Sequence, residues 1–112
     1  MSTPYYQSED LPRLPEVGSS APELWEQYAS YYHAATATEG ALSSREKALI
    51  ALAIAHVLPC PYCIDSYTQA CLERGASLEQ MTEAIHVAAA LRAGATLAHG
   101  IQMKTVADRL SL

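Results

Sequence analysis

The chain has 112 residues, 50% hydrophobic and 17% charged, with a net charge of −5 and a pI near 5.2. That length fits one domain, large enough to bury roughly two-thirds of its unfolded surface. An acidic balance without a Lys/Arg cluster speaks against nucleic acid or an anionic membrane as partner, and no apolar run is flanked like a signal peptide or approaches the ~20 residues of a membrane helix.

Residues 1–19 carry Pro4, Pro12, Pro15, Gly18 and Ser19 and read as an irregular N-terminal arm, which leaves 20–112 as a helical domain. A first helix is expected from Ser20, with Ser20 and Glu23 as a capping box, Leu24, Tyr28, Tyr31 and Tyr32 on its apolar face, and Gly40 at its end. Ser43 and Glu46 repeat the signature. The segment Ala48 to Leu58 that follows is apolar on nearly every side, the mark of a central buried helix. Pro59 and Pro61 interrupt it, and a third helix is expected from Pro61 to Glu73 or Arg74, stopped by Gly75. Ser77 and Gln80 open a fourth, on which Leu78, Met81, Ile85, Ala88 and Leu91 fall at helical spacing. Gly94 is expected to end or kink it before a last helix from about Ala95 to Leu110. No convincing strand alternation occurs, so the predicted fold is all-α.

The break between the second and third helices holds Cys60-Pro61-Tyr62-Cys63. Proline suits the first helical position, where its missing N–H would be unpaired in any case. Cys60 then becomes the N-cap and Cys63 the third helical residue, both near free N–H groups at the positive end of the helix dipole, a setting that favours thiolate. Such a C-x-x-C can cycle between dithiol and disulfide; the alternative is two small hydrophobes that happen to fall three apart. In a cytoplasmic protein, the expected setting, nearby cysteines are more often catalytic or metal-binding than a permanent cross-link. Zinc would need two more ligands; Cys71 stands alone without a second C-x-x-C or a spaced His pair, so neither metal nor other cofactor is expected.

A reactive thiol also needs a proton handler. Tyr67, four residues after Cys63, shares its helix face, although a core aromatic with a bonded hydroxyl would occupy the position equally well. His56, four residues before Cys60, is near it only if the second helix persists to Leu58, and a satisfied core histidine is the plainer reading. Glu46 already has a structural role in its capping box and lies roughly 21 Å of helical rise from Cys60, so it reaches the thiols only if the third helix folds back antiparallel. Asp65 at a helix start has the plainer role of complementing the dipole, and His86 and His99 have no spacing that ties them to the cysteines.

Arg45-Glu46-Lys47-Ala48-Leu49-Ile50-Ala51-Leu52, then Cys60-Pro61-Tyr62-Cys63-Ile64-Asp65, then Gly75-Ala76-Ser77 with Glu83-Ala84 resemble the carboxymuconolactone decarboxylase and AhpD-like alkylhydroperoxidase superfamily. Ala21-Pro22-Glu23-Leu24-Trp25-Glu26 and His99-Gly100-Ile101-Gln102-Met103 bring it nearest to the arsenosugar biosynthesis-associated peroxidase-like subfamily. The resemblance implies an AhpD-like all-helical fold, a homo-oligomer (trimer or hexamer), and a cysteine pair that reduces a hydroperoxide substrate and is re-reduced by a thiol or dithiol. It also implies that Cys63 attacks the peroxide and Cys60 resolves. Where the AhpD-like pattern has a histidine and a glutamate, this chain has Tyr67 and Ala48, while Glu46 is similar to the glutamate of an R-E-K form.

The expected function is therefore a thiol-dependent hydroperoxide reductase, with Cys60 and Cys63 catalytic and Glu46, His56 or Tyr67 as proton relay. The alternatives are a carboxymuconolactone decarboxylase-like enzyme, which would ask for cations to hold a carboxylate, and a non-catalytic helical oligomer regulated by its disulfide.

Overall fold

In a computed structural model that describes residues 5–110, four α-helices follow a 3-10 segment: α1 (Pro22–Thr36), α2 (Ser44–Val57), α3 (Pro61–Glu73) and α4 (Leu78–Arg109). The described residues contain no strand, in keeping with the all-α expectation. Within the arm, Ser8–Gly18 is a 3-10 helix rather than irregular chain, and residues 1–4 lie outside the described residues. Pro12 and Pro15 explain the choice: their fixed φ suits 3-10 geometry, while the missing N–H groups disfavour an α-helix. With three residues per turn, side chains three apart eclipse. Arg13 accordingly sits between Asp10 and Glu16, donating to their carboxylates at 3.4 and 3.0 Å.

The caps place α2, α3 and α4. Ser43 with Glu46 and Ser77 with Gln80 form complete capping boxes. At the end of α3, Gly75 adopts φ +87°, its N–H donates to Leu72 O, and Ala76 N–H donates to Cys71 O. This Schellman closure brings Ala76 and Cys71 together in the core. The start of α1 differs from expectation. Its N-cap is Ala21, with no side-chain cap, because Pro22 takes the first helical position; the helix also ends at Thr36, short of Gly40. Cations stabilise that C-terminus instead. Lys47 Nζ donates to Ala34 O and Thr38 O, and Arg74 Nη1 donates to Thr36 O and Ser44 O.

The Arg74–Ser44 bond joins the end of α3 to the start of α2, so these helices pack antiparallel, with Ala48, Leu52, Tyr67, Cys71, Ala76 and Met81 as the buried cluster. The opposite face of α2 is bare. Ile50 and Ile54 are about half exposed, so α2 is central but not buried all round.

Gly94 does not end a helix: Leu78–Arg109 is one continuous α4. A glycine inside a helix costs only ~1 kcal/mol relative to alanine, and the alanine- and leucine-rich sequence around it outweighs that. A Cβ at position 94 would meet nothing within 4 Å. Gly94→Ala should therefore raise stability by roughly 0.5–1 kcal/mol, visible as a higher midpoint in thermal circular dichroism; a lower midpoint would show that this position needs glycine.

Candidate functional site

The local chemistry of the α2–α3 junction fixes both thiols. After α2 ends, Cys60 N–H donates back to Ala55 O at 2.8 Å, which holds the cysteine against the helix end. Cys60 is the N-cap of α3 in extended conformation, Pro61 is its first residue, and Cys63 N–H donates to Cys60 Sγ at 3.3 Å. A sulfur thus takes the capping role usual for a serine or aspartate oxygen. Both motif cysteines are free thiols and partly exposed, whereas Cys71 is free and fully buried.

The two sulfurs do not share one environment. Burial, followed by the hydrogen bond to Cys60, pushes the Cys63 thiol up to about 11. This opposes the sequence expectation that the helix start lowers both thiols. Cys63 sits inside the first turn, where desolvation and a neighbouring sulfur outweigh the field of the N–H groups. Burial likewise pushes the Cys71 thiol up.

Cys60 and Cys63 open into a cleft of about 860 Å³ between the arm, α1 and α3. Its α1 wall carries an aromatic ladder: Trp25 and Tyr28 ring centroids are 5.6 Å apart, as are those of Tyr28 and Tyr32. From α3 comes Tyr67, buried, whose hydroxyl is hydrogen-bonded to that of Tyr32. Burial first, then this bond and the nearby Cys63, push the Tyr32 phenol well above its ordinary value, so it stays protonated.

Of the other candidate proton handlers, neither reaches the cleft. Glu46 is exposed at the far end of α2, its carboxylate accepting Ser43 N–H at 2.8 Å, a bond that holds it below the usual carboxylate range. His56 does lie on a helix that persists to Val57, but its Nδ1 is 2.8 Å from Leu52 O and its ring lines a separate groove with Ile85 and Arg92. Asp65 accepts from Gln69 Nε2, and His99 pairs with Gln102. Among the described residues, no three His, Cys, Asp or Glu side chains converge as metal ligands would.

Tyr32 is the site residue that helical periodicity misses, since it reads there as one more apolar-face aromatic. A composition signal exists: the chain has seven tyrosines and no phenylalanine, so every phenyl-type side chain brings a hydroxyl.

The sequence pattern of the carboxymuconolactone decarboxylase family matches residues 22–103, from the first residue of α1 into the last turns of α4. The chain belongs to the carboxymuconolactone decarboxylase family. Tyr32, Cys60, Cys63 and Tyr67 all fall within the matched residues of this family member, and the arm falls before them. The chain is also similar to a Paracoccus denitrificans protein described as uncharacterized protein 4 in the cox locus, with 47% identity over 72 residues. That match spans 64% of this chain and 65% of the relative, just under two-thirds of its length. Family membership supports an enzyme of the AhpD-like or carboxymuconolactone decarboxylase-like kind. No helix among the described residues is long and apolar enough to cross a membrane.

Proposed function

We propose that the chain is a thiol-dependent hydroperoxide reductase in which Cys63 attacks and Cys60 resolves. The observation that carries this reading is the C-x-x-C at the start of α3, with Cys63 N–H on Cys60 Sγ, opening into an apolar cleft that also holds the Tyr32–Tyr67 hydroxyl pair. Cys63 loses its proton to solvent and its sulfur attacks a peroxide oxygen. The O–O bond breaks, Cys63 is oxidised to a sulfenic acid, and the peroxide is reduced to an alkoxide. The alkoxide takes a proton from Tyr67, which solvent replaces through Tyr32. Cys60 then attacks the Cys63 sulfur; the S–S bond forms, the S–O bond breaks, and the hydroxyl leaves as water with the Cys60 proton. An external thiol or dithiol returns the disulfide to two thiols, a cycle suited to a cytoplasmic setting.

The decarboxylase-like alternative asks for a cation to hold a substrate carboxylate. Lys47 and Arg74 are bonded to carbonyls at the end of α1, and Arg13, in the cleft wall, is held between Asp10 and Glu16. The test is consumption of tert-butyl hydroperoxide with dithiothreitol: the reductase reading expects turnover, and no turnover with any thiol donor overturns it.

The same reading includes a homo-oligomer. The accessible surface is 8560 Å², against about 6,000 Å² for a compact monomer of this mass. Much of the excess lies on α4, whose buried residues, Met81 and Ala88, are confined to its first half. Beyond them Leu97, Ile101 and Met103 are each more than two-thirds exposed. Light scattering should return a multiple of 12.1 kDa at micromolar concentration; a monomer would refute self-association.

A further inference from the structure

We propose that the N-terminal arm determines which hydroperoxide the chain accepts: Leu11, Leu14 and Val17 hold the organic group of an uncharged aryl hydroperoxide against the aromatic wall of α1. This rests on the reductase reading and adds to it a substrate class and the residues that select it.

The arm is pinned across the thiol cleft at both ends. At one, Tyr6 Oη donates to Pro61 O at 3.2 Å, and its ring centroid lies 4.6 Å from that of Tyr62, directly over the C-x-x-C turn. At the other, Gly18 is buried against the Trp25 indole, where a Cβ would approach Cγ to 2.2 Å. No side chain fits there, so glycine is what lets the arm close down on α1.

Between the pins the three-residue period sorts the arm into stripes. Asp10, Arg13 and Glu16 form one, its single cation matched by two carboxylates. Leu11, Leu14 and Val17 form the next; the arm lines the cleft from Asp10 to Val17, opposite Trp25 and Tyr28, and these three are its open-chain aliphatic side chains. Leu14 is 46% exposed and Val17 76%, so no described residue covers this end of the apolar stripe. A space of about 860 Å³ lies within the roughly 300–1,000 Å³ of sites for small organic molecules. Facing rings favour an aromatic occupant, and a wall with more acid than base disfavours an anionic one. The arm precedes the residues matched by the family pattern, so selection by it is separate from the thiol machinery.

The experiment compares the full chain with Leu11→Ser/Leu14→Ser/Val17→Ser and with Leu14→Met, using cumene hydroperoxide and hydrogen peroxide with dithiothreitol as donor. The ratio of kcat/KM for cumene hydroperoxide to that for hydrogen peroxide should fall at least ~10-fold in the triple variant and be retained in Leu14→Met. A ratio within twofold of the parent in the triple variant overturns the proposal. Binding is read separately from chemistry, because Trp25 is the chain's one tryptophan and stands in the cleft wall. In a Cys60→Ser/Cys63→Ser background, cumyl alcohol should quench its fluorescence saturably, and the three serine changes should abolish that response. If the parent chain reduces neither peroxide but this quenching and its loss are seen, the arm holds the aryl group as proposed and it is the reductase reading that fails. If hydrogen peroxide is reduced but quenching never saturates, the arm proposal is overturned and the reductase reading survives.

Discussion

Cys63→Ser is expected to lose hydroperoxide consumption by on the order of 10³-fold or more, the scale on which removal of a covalent nucleophile acts, whereas Cys60→Ser should still react once and then stop. The difference follows from the roles proposed for the two sulfurs. Without Cys63 no sulfenic acid forms on the inner sulfur. Without Cys60 the sulfenic acid has no partner in the motif and persists or oxidises further. Intact-mass measurement after one equivalent of peroxide separates the cases: the parent chain should lose two hydrogens as the disulfide closes, and Cys60→Ser should gain oxygen. Cys71 should remain unmodified throughout, being buried in the core beside Leu52 and Tyr67. If Cys63→Ser gains oxygen while Cys60→Ser does not, the roles are reversed. The N–H donated to Cys60 Sγ would then mark the attacking sulfur.

The parts of this structure legible in the sequence are those governed by neighbours a few residues away. Both capping boxes, the Cys60 N-cap with Pro61 behind it, and Gly75 as the left-handed stop are local chemistry, and each stands where the residues indicate. Gly94 carries only a weak local penalty, and continuing the helix through it costs less than a break. At the start of α1, likewise, Ser20-x-x-Glu23 has the letters of a capping box, but Pro22 fixes the register one residue later.

The site depends more on distant contacts than the fold does. C-x-x-C and Tyr67 are linked to each other by helical spacing, so sequence finds them together. Tyr32 meets Tyr67 only through the packing of α1 on the rest of the chain, across a separation of 35 residues. The arm reaches the thiols across a separation of 55 residues, from Tyr6 to Pro61. The two other relay candidates miss the thiols for opposite reasons. His56 shares the right helix end but turns to Leu52 O, and Glu46 is held at the other end by its own cap.

The rate of sulfenic acid formation should climb steeply with pH, roughly tenfold per unit from neutrality upward, because the attacking form is the thiolate and burial with the Cys60 hydrogen bond pushes the Cys63 thiol up to about 11. Between pH 7 and pH 9 that amounts to about 100-fold, measurable in stopped flow with one equivalent of peroxide. Cys60→Ala removes both the hydrogen bond and the charge of Cys60 and leaves burial, so its profile should move to lower pH without reaching that of a free thiol. Stability should run the other way. A thiol that holds its proton more tightly folded than unfolded stabilises the native chain below the ordinary thiol range, and this contribution is lost as pH rises through about 11. Alkali should thus speed the chemistry while loosening the fold, and the two trends are separable by following helicity alongside the rate. A rate already flat between pH 7 and pH 9 would mean that the reacting sulfur is ionised at neutrality. Cys63, desolvated and bonded to its neighbour, does not meet that condition, and the nucleophile would have to be Cys60.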